Sequence, residues 1–377
     1  MTVLHIFSGD LWAGAEVVIF NLLSRLHKED GPRVVALSLN EGVLVDKLRA
    51  AGIVTHVIPE ARHSFVGILW RAARLLKGTP IAGIHSHRYK ENLLAWLLAR
   101  WLGVGKLITT IHGMPESATH SGREARLARW RSRLDFFVIK RGFGCAVAVS
   151  EEMKRTLVNQ HGFREERVHV IRNGGVFPPL APAPSGSGRA CFHIGTVARM
   201  VPVKGLDLFL DVAARVRREA PVVRFSLLGD GPLRDELAQR ATALSLRDCV
   251  EFLTPRPDPF PYYQSLDLYL NTSRHEGIPL SVIEAMACGT PVVSSAVGGI
   301  PEIMTDGEHG FLVKGRDANS FAARCISLMG DDPLRRTMGE RASAWARSRF
   351  SAAAMARAYH RLYEQGAVTA RQERDEH

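Results

Sequence analysis

Short apolar runs alternate with longer amphipathic stretches along the whole chain. In the first half VLHIFS, RVVALSL, THVIP, GIHSH, KLITTIHG, CAVAVS and VHVIRNG read as strands. In the second half CFHIGTVAR, RFSLLGDG, VEFLT, LDLYLNTS, PVVSSAVGG and GFLVKG do the same. Helical patterns such as AEVVIFNLLSRL and GLDLFLDVAARVRRE fill most of the gaps. Apolar strands separated by helices predict parallel sheets covered on both faces. Between the halves, FPPLAPAPSGSGRA (177–190) has the proline, glycine and serine content of a linker. The pattern predicts an α/β protein of two domains, residues 1–177 and 191–345, joined by a linker over 178–190. SAWARSRFSAAAMARAYHRLYEQ reads as a terminal helix, taken as 346–365 and packing back toward the first domain, and 366–377 reads as a loose tail.

Length and composition agree with this division. At 377 residues, 46% hydrophobic and 23% charged, the chain is globular and long enough for two cores. MTVLHIFSGD reads as a first strand, without the basic and apolar regions of a signal peptide. There is no run of about 18 apolar residues to span a bilayer. Cys145, Cys191, Cys249, Cys288 and Cys325 are far apart, which suits reduced, mostly buried thiols and a cytoplasmic setting. The net charge of +11 falls almost entirely in residues 1–180. A basic half suits an anionic membrane face or nucleic acid. No helix-turn-helix, RRM or zinc-finger pattern supports the second.

Candidate chemistry gathers where strands end. In HEGIPLSVIEAMACGTPVV (275–293), Pro279 fits the first turn of a helix, Ser281 adds a hydroxyl there, and Gly289 ends it. Glu276 then sits in the loop before the helix and Glu284 about one turn inside. Free N–H groups at such a start suit a diphosphate, and carboxylates accept hydrogen bonds from sugar hydroxyls. Two solvated glutamates beside an ordinary αβ unit fit the spacing equally well. HIGTVARMVPVKG is read as ending a strand at Gly195 and presenting Arg199 and Lys204, two cations able to neutralise a diphosphate without a metal. LLGDGP places Gly229 at a strand end, where backbone approaches a ligand or simply turns. In the first half, Gly9 and Gly14 follow the first strand, and His112 in TTIHG stands at a strand end, able to hold a hydroxyl or carry a proton. His85 and His87 share a strand face, but no third ligand stands at a familiar zinc spacing, so no metal site is expected.

Together these stretches resemble the retaining nucleotide-sugar glycosyltransferases of family 4. The matching pieces are AGAE (13–16), HSHRY (85–89), TTIHG (109–113), IRNGG (171–175), GTVARMVPVKG (195–205), LLGDGP (227–232) and EGIPLSVIEAMACGTPVVSSAVGGIPEIM (276–304). They occur in family order. The last carries the Glu-x7-Glu signature as Glu276 and Glu284.

The resemblance implies a GT-B fold: two facing Rossmann-like domains with a cleft between them and a C-terminal helix. It also implies roles. Arg199 and Lys204 would hold the donor diphosphate and stabilise its leaving charge. Glu284 would bind ribose, and Glu276 the transferred sugar. The backbone at Leu280 and Ser281 would complete the phosphate cradle, with Ile278 and Pro279 shaping the sugar pocket. Gly14 would approach the phosphates and His112 would contact the sugar. Family members need no metal or other cofactor, the nucleotide sugar being a co-substrate, and they retain the anomeric configuration. Ala13, where the family often has Gly, and Ile278-Pro279, where a GFG-type start is common, are departures that bear on acceptor and donor identity.

The resemblance gives the basic half an interpretation. Residues 121–144 interleave Arg123, Arg126, Arg129, Arg131, Arg133, Lys140 and Arg141 with Trp130, Phe136 and Phe137, suiting anionic headgroups beneath a lipid-linked acceptor. A solvated helix is the alternative. The expected enzyme moves a hexosyl group to a carbohydrate or lipid-linked acceptor in cell-surface polysaccharide or glycolipid assembly, on the inner face of the cytoplasmic membrane or free of it. A nucleotide-sugar epimerase of the same fold and a non-catalytic donor-binding subunit are the competing expectations.

Overall fold

The computed structural model describes residues 1–10, 12–28, 31–113, 122–180 and 191–375. The chain forms two compact units. The first comprises Met1–Gly174 with Ala352–His377, and the second Gly175–Ser351. Most of the linker expected at 178–190, the start of the basic segment at 121 and the last two residues of the expected tail lie outside the described residues.

The first unit holds a sheet of β1 (Thr2–Phe7), β2 (Arg33–Ser38), β3 (Val54–Val57), β4 (Ile81–Ser86), β5 (Leu107–Ile111), β6 (Cys145–Ala148) and β7 (Val168–Val170). Its order is β3-β2-β1-β4-β5-β6-β7, and every pairing is parallel. The second unit holds β8 (Phe192–Val197), β9 (Val223–Leu228), β10 (Val250–Leu253), β11 (Leu268–Asn271), β12 (Val292–Ser295) and β13 (Gly310–Val313). That sheet runs β10-β9-β8-β11-β12-β13, also all parallel. Each strand coincides with one of the apolar runs read from the sequence. The runs are continuous because both faces of each sheet are covered. In each sheet the strand order reverses once, between β1 and β4 and between β8 and β11. Loops leave in opposite directions there, opening a crevice at the carboxyl ends of the strands.

The helix Leu206–Glu219 shows how the covering works. It turns Leu206, Phe209, Leu210, Val212, Ala213 and Val216 onto the second sheet, where Phe209 meets Phe225 edge to face. Arg217 and Arg218 stand in its last turn, where the helix dipole favours cations.

Three expectations about the chain need correction. The terminal helical stretch is two helices, Asp332–Arg349 and Ala352–Asp375, and only the second belongs to the first unit. The break falls at Phe350, whose buried ring and non-helical backbone (φ −118°, ψ 33°) leave its carbonyl to accept from Gly175 N–H at 2.8 Å. The second helix runs on past residue 365 to Asp375, since no proline interrupts AVTARQERD. Of the five free cysteines only Cys249 and Cys325 are buried, the other three being half-buried. Among the described residues no helix is long and apolar enough to cross a membrane.

Candidate active site

In the second unit the site residues stand on the loops that follow β8, β9, β11 and β12. The loop after β8 ends in a short 3-10 turn, Pro202–Lys204, and Gly205 at φ 60° starts the next helix. A Cβ at Gly205 would strike the carbonyl of Thr272, whose hydroxyl in turn donates to Gly205 O at 3.0 Å. The loops after β8 and β11 are thereby locked together. Across that junction Lys204 Nζ lies 2.6 Å from Glu276 Oε1, and Ser273 Oγ lies 2.6 Å from the same oxygen. Glu276 is only 8% exposed, so this pairing is how its charge is tolerated. Its carbonyl meets the loop after β12: Gly299 N–H points at Glu276 O (3.2 Å) and Gly277 O (3.0 Å), and a Cβ on Gly298 (φ 54°) would overlap Glu276 O. Arg199 is exposed and has no side-chain hydrogen bond or ion pair among the described residues.

The helix Leu280–Ala287 begins directly after Pro279. Ile278, Pro279 and Leu280 are buried and fix its entry, while Ser281 in the first turn is half-buried and bonded to the Tyr269 hydroxyl. Tyr269 also reaches Val197 O at 3.2 Å, so one phenol ties the end of β8 to the helix start. The first N–H groups of this helix have no partner within it, as at any helix start. Glu284, one turn on, accepts from the Tyr263 hydroxyl at 2.8 Å. Burial pushes its carboxyl up to about 7, the hydrogen bond offsetting only part of the shift.

At two of the expected glycines the space for a side chain is taken by neighbouring residues. Gly195 lies inside β8 rather than at its end, buried, with Tyr262 and Leu266 filling the space a Cβ would take. Gly229 does stand after β9, but a Cβ there would overlap Ala198 O, so its demand is set by the neighbouring loop. In that loop Met200 N–H donates to Asp230 O at 2.8 Å.

In the first unit Gly14 opens the helix Gly14–Lys28, and a Cβ there would meet nothing within 4 Å. Gly9 is the constrained position, at φ 78° against Ser38 Oγ. Glu16 in the first turn of that helix is buried and paired with Arg88, and burial raises its carboxyl while Arg88 lowers it. His112 stands just beyond β5, with Nε2 3.2 Å from His87 Nδ1 and its own Nδ1 buried without a partner. Burial lowers its pKa to about 4, so the ring is neutral at pH 7.

A third histidine joins His85, on β4, and His87, just beyond its end. His5 is the register partner of His85, and ligand atoms of His5, His85 and His87 lie within 4.8 Å of one another, where spacing along the chain had offered no third ligand. The observed geometry is a hydrogen-bonded cluster: His5 Nδ1 to His87 Nε2 is 3.3 Å, and His85 is held by Tyr363 and Thr110.

Tyr263, Tyr269, Ser273, Gly298 and Arg88 are the site neighbours that sequence reasoning missed. Only Gly298 and Arg88 fall in the stretches that carried the family resemblance. The rest required the strand order.

The chain is similar to known glycosyltransferases. Residues 12–174 match the family model described as Glycosyltransferase Family 4, and residues 191–331 the one described as Glycosyl transferases group 1. A D-inositol 3-phosphate glycosyltransferase of Corynebacterium jeikeium is 35% identical over 338 residues, covering 83% of this chain and 79% of that one. The same-named protein of Kribbella flavida is 28% identical over 329 residues (81% and 77%). Among solved structures, Anabaena HepE in complex with UDP and glucose aligns over 97% of this chain and 100% of its own, with TM-score 0.84 and 22% identity. The lipopolysaccharide outer core galactosyltransferase WaaB aligns over 98% and 100%, with TM-score 0.71 and 16% identity. These likenesses show the GT-B fold. With both halves matched and a relative at 35% identity over most of its length, the chain belongs to glycosyltransferase family 4.

Proposed function

We propose that this glycosyltransferase takes a hexosyl group from a UDP-sugar and transfers it, with retention and without a metal ion, to a carbohydrate or lipid-linked acceptor. The observation that carries the reading is the Lys204–Glu276 pair set before the start of the helix that bears Glu284. In the free protein Glu276 compensates Lys204, and Arg199 stands uncompensated. A donor diphosphate would draw Lys204 Nζ and Arg199 onto its oxygens and receive the N–H groups of Leu280 and Ser281. Glu276 is then released toward hydroxyls of the sugar, Glu284 accepts from the ribose, His112 touches the sugar, and Gly14 lets backbone come near the phosphates. The UDP complexes of the structural neighbours support uridine as the nucleoside.

The chemical step follows from this charge distribution. The bond from the sugar's anomeric carbon to the phosphate oxygen breaks as the leaving charge is met by Lys204, Arg199 and the helix start. The acceptor oxygen bonds the same carbon from the same face, and its proton passes to the departing diphosphate. Fixed positive groups at the leaving oxygen are the main catalytic contribution.

We place the protein in the cytoplasm, working on cell-surface polysaccharide or glycolipid. A phosphorylated polyol acceptor is the second reading, favoured by the D-inositol 3-phosphate named for the curated relatives. The deciding experiment incubates the protein with UDP-glucose, UDP-galactose or UDP-N-acetylglucosamine, with EDTA, against lipid-linked glycans and D-inositol 3-phosphate. Transfer with an α-configured product from an α-linked donor supports the proposal. A folded protein that transfers no sugar to any acceptor rejects it.

A further inference from the structure

The helix Phe65–Leu76, the strand β4 and the helix Tyr89–Leu102 follow one another in the first unit. Ser64 caps the first helix by accepting from Gly67 N–H at 3.2 Å. That helix buries Ile68, Ala72, Ala73 and Leu76, and leaves Trp70, Arg74 and the C-cap residue Lys77 exposed. The spacing of four and three puts those three on one helix face. The second helix ends at Gly103, whose φ of 69° closes it, with Trp101 exposed in its last turn. Both helices end beside the start of β4, where they border a cavity of about 490 Å³. Small-ligand sites occupy roughly 300–1,000 Å³. This cavity lies at the amino ends of the strands, away from the loops that leave their carboxyl ends. The six residues of β4, about 20 Å at about 3.3 Å each, separate Ile81 on the cavity wall from the loop beyond Ser86.

Trp70 is 48% and Trp101 58% exposed, although indoles are highly buried on average in folded proteins. Both line the cavity, together with the buried Leu76. The Arg74 guanidinium carbon lies 5.4 Å from the centre of the Trp70 ring, a stacking contact that holds the fork beside the indole. Lys77 lines the same cavity, and Thr79 adds a hydroxyl. Arg74 and Lys77 meet no carboxylate among the described residues. The sequence supplies none nearby: it has no Asp or Glu between Glu60 and Glu91, nor between Glu91 and Glu116.

Two flat apolar faces, two cations and a hydroxyl select a class of ligand. A pyranose ring has an apolar C–H face that lies flat on an indole, while hydroxyls at its edge reach polar groups beside the ring. Uncompensated cations call for negative charge, and a guanidinium fork meets a carboxylate with two parallel hydrogen bonds. Docking on a lipid surface would require the indoles to project from a convex face, whereas these two line a hollow.

We propose that this cavity is a second carbohydrate site, separate from the donor site, that takes an acidic glycan with sugar rings on Trp70 and Trp101 and negative groups on Arg74 and Lys77. The chain belongs to a sugar-transferring family, so glycans are the polymers it works among. The site stands whether or not the donor is a UDP-sugar.

Calorimetry on the full chain at about 150 mM salt, with a hyaluronan hexasaccharide and with maltohexaose, tests the class. Hyaluronan carries carboxylates and maltohexaose carries none. The acidic sugar should bind one-to-one, at least about tenfold more tightly than the neutral one, and change the tryptophan emission. Trp70→Ala/Trp101→Ala keeps every charge and should weaken the acidic sugar about tenfold or more. Arg74→Gln/Lys77→Gln should weaken it too and remove most of its salt dependence. All four side chains are exposed, so both variants should melt as the wild type does and bind UDP-glucose unchanged.

No binding of the acidic sugar, or equal affinity for maltohexaose, would overturn the proposal. Full binding by the tryptophan variant would overturn it as well, leaving only the general attraction of a basic protein. Phosphatidylglycerol vesicles bound by wild type and released by the tryptophan variant, with no sugar bound, would assign the surface to lipid instead. A dimer in sedimentation that the same variant dissolves would assign it to a second copy of the chain. Hyaluronan bound through the two indoles by a wild type that does not bind UDP-glucose would overturn the donor assignment and leave this site standing.

Discussion

Lys204 and Glu276 lie seventy-two positions apart in sequence, yet Nζ of one stands 2.6 Å from Oε1 of the other. The pair ties together the loops after β8 and β11 of the second unit, and in the proposed function it holds ready the cation that a leaving diphosphate would need. Among the described residues Glu276 has only Ser273 Oγ to fall back on when Lys204 is removed. Lys204→Met should therefore cost about 1–3 kcal/mol of stability. It should also lower turnover by about a hundredfold or more, by loss of leaving-group stabilisation. The double variant Lys204→Met/Glu276→Gln should recover most of the stability and none of the activity. Thermal melts and steady-state kinetics of the three proteins read both quantities.

In the proposed site Glu284 would link donor binding to pH. Its carboxyl is raised from 4.5 to about 7, so in the free protein it is largely protonated at pH 6 and ionised at pH 8. Ribose hydroxyls need the ionised form as acceptor. Affinity for UDP-glucose, which does not itself titrate in this range, should rise about tenfold from pH 6 to pH 8 and then level off. Glu284→Gln should bind weakly and without that slope. Because the folded-state value is raised, the stability Glu284 contributes is full below pH 4.5 and is lost as pH rises through 7. Melting temperatures should accordingly favour Glu284→Gln over wild type more strongly at pH 8 than at pH 5.

The glycines separate structural from ligand demands. Gly298→Ala forces a Cβ into Glu276 O at φ 54° and should cost about 1–3 kcal/mol. Gly14→Ala meets nothing within 4 Å and should leave the melting temperature within the range of ordinary surface changes, about 0.5 kcal/mol. A Gly14→Ala protein of unchanged stability that binds UDP-glucose less tightly would assign that glycine to ligand approach. Unchanged binding would remove it from the site.

The basic segment offers a surface whose partner is measurable. On the helix Gly122–Gly142, Leu127, Trp130 and Phe137 are exposed beside Arg129, Arg131 and Arg133. Phe136 is not part of that face, being buried against His161 and Phe163. Vesicles containing phosphatidylglycerol should bind the protein at low salt and release it as salt rises. Trp130→Ala with Arg129→Glu should abolish binding, whereas retention of both variant and wild type on neutral vesicles would contradict an electrostatic contact.

The strands were legible because buried parallel strands are continuous apolar runs, and β4 and β11 announce themselves without any knowledge of their neighbours. The placement of Glu276, Glu284, Arg199 and Lys204 beside strand and helix ends was legible because each sits a short distance from such an end, whereas their roles came only from the family resemblance. The role of Gly195 was not legible, since what fills its missing Cβ is Tyr262, sixty-seven residues away. His5 was invisible for the same reason: its tie to His85 is a register relation between β1 and β4, and only the strand order supplies it. The break at Phe350 escaped notice because SRFSAAAM carries no proline or glycine, and tertiary packing alone ends that helix.

The most direct test of the donor site is calorimetry with UDP-glucose in EDTA on wild type and Glu284→Ala. The proposed site predicts one-to-one binding to wild type without added metal, weakened about tenfold or more by the substitution. Equal affinity in the two folded proteins, or binding that appears only when a divalent cation is restored, would contradict it.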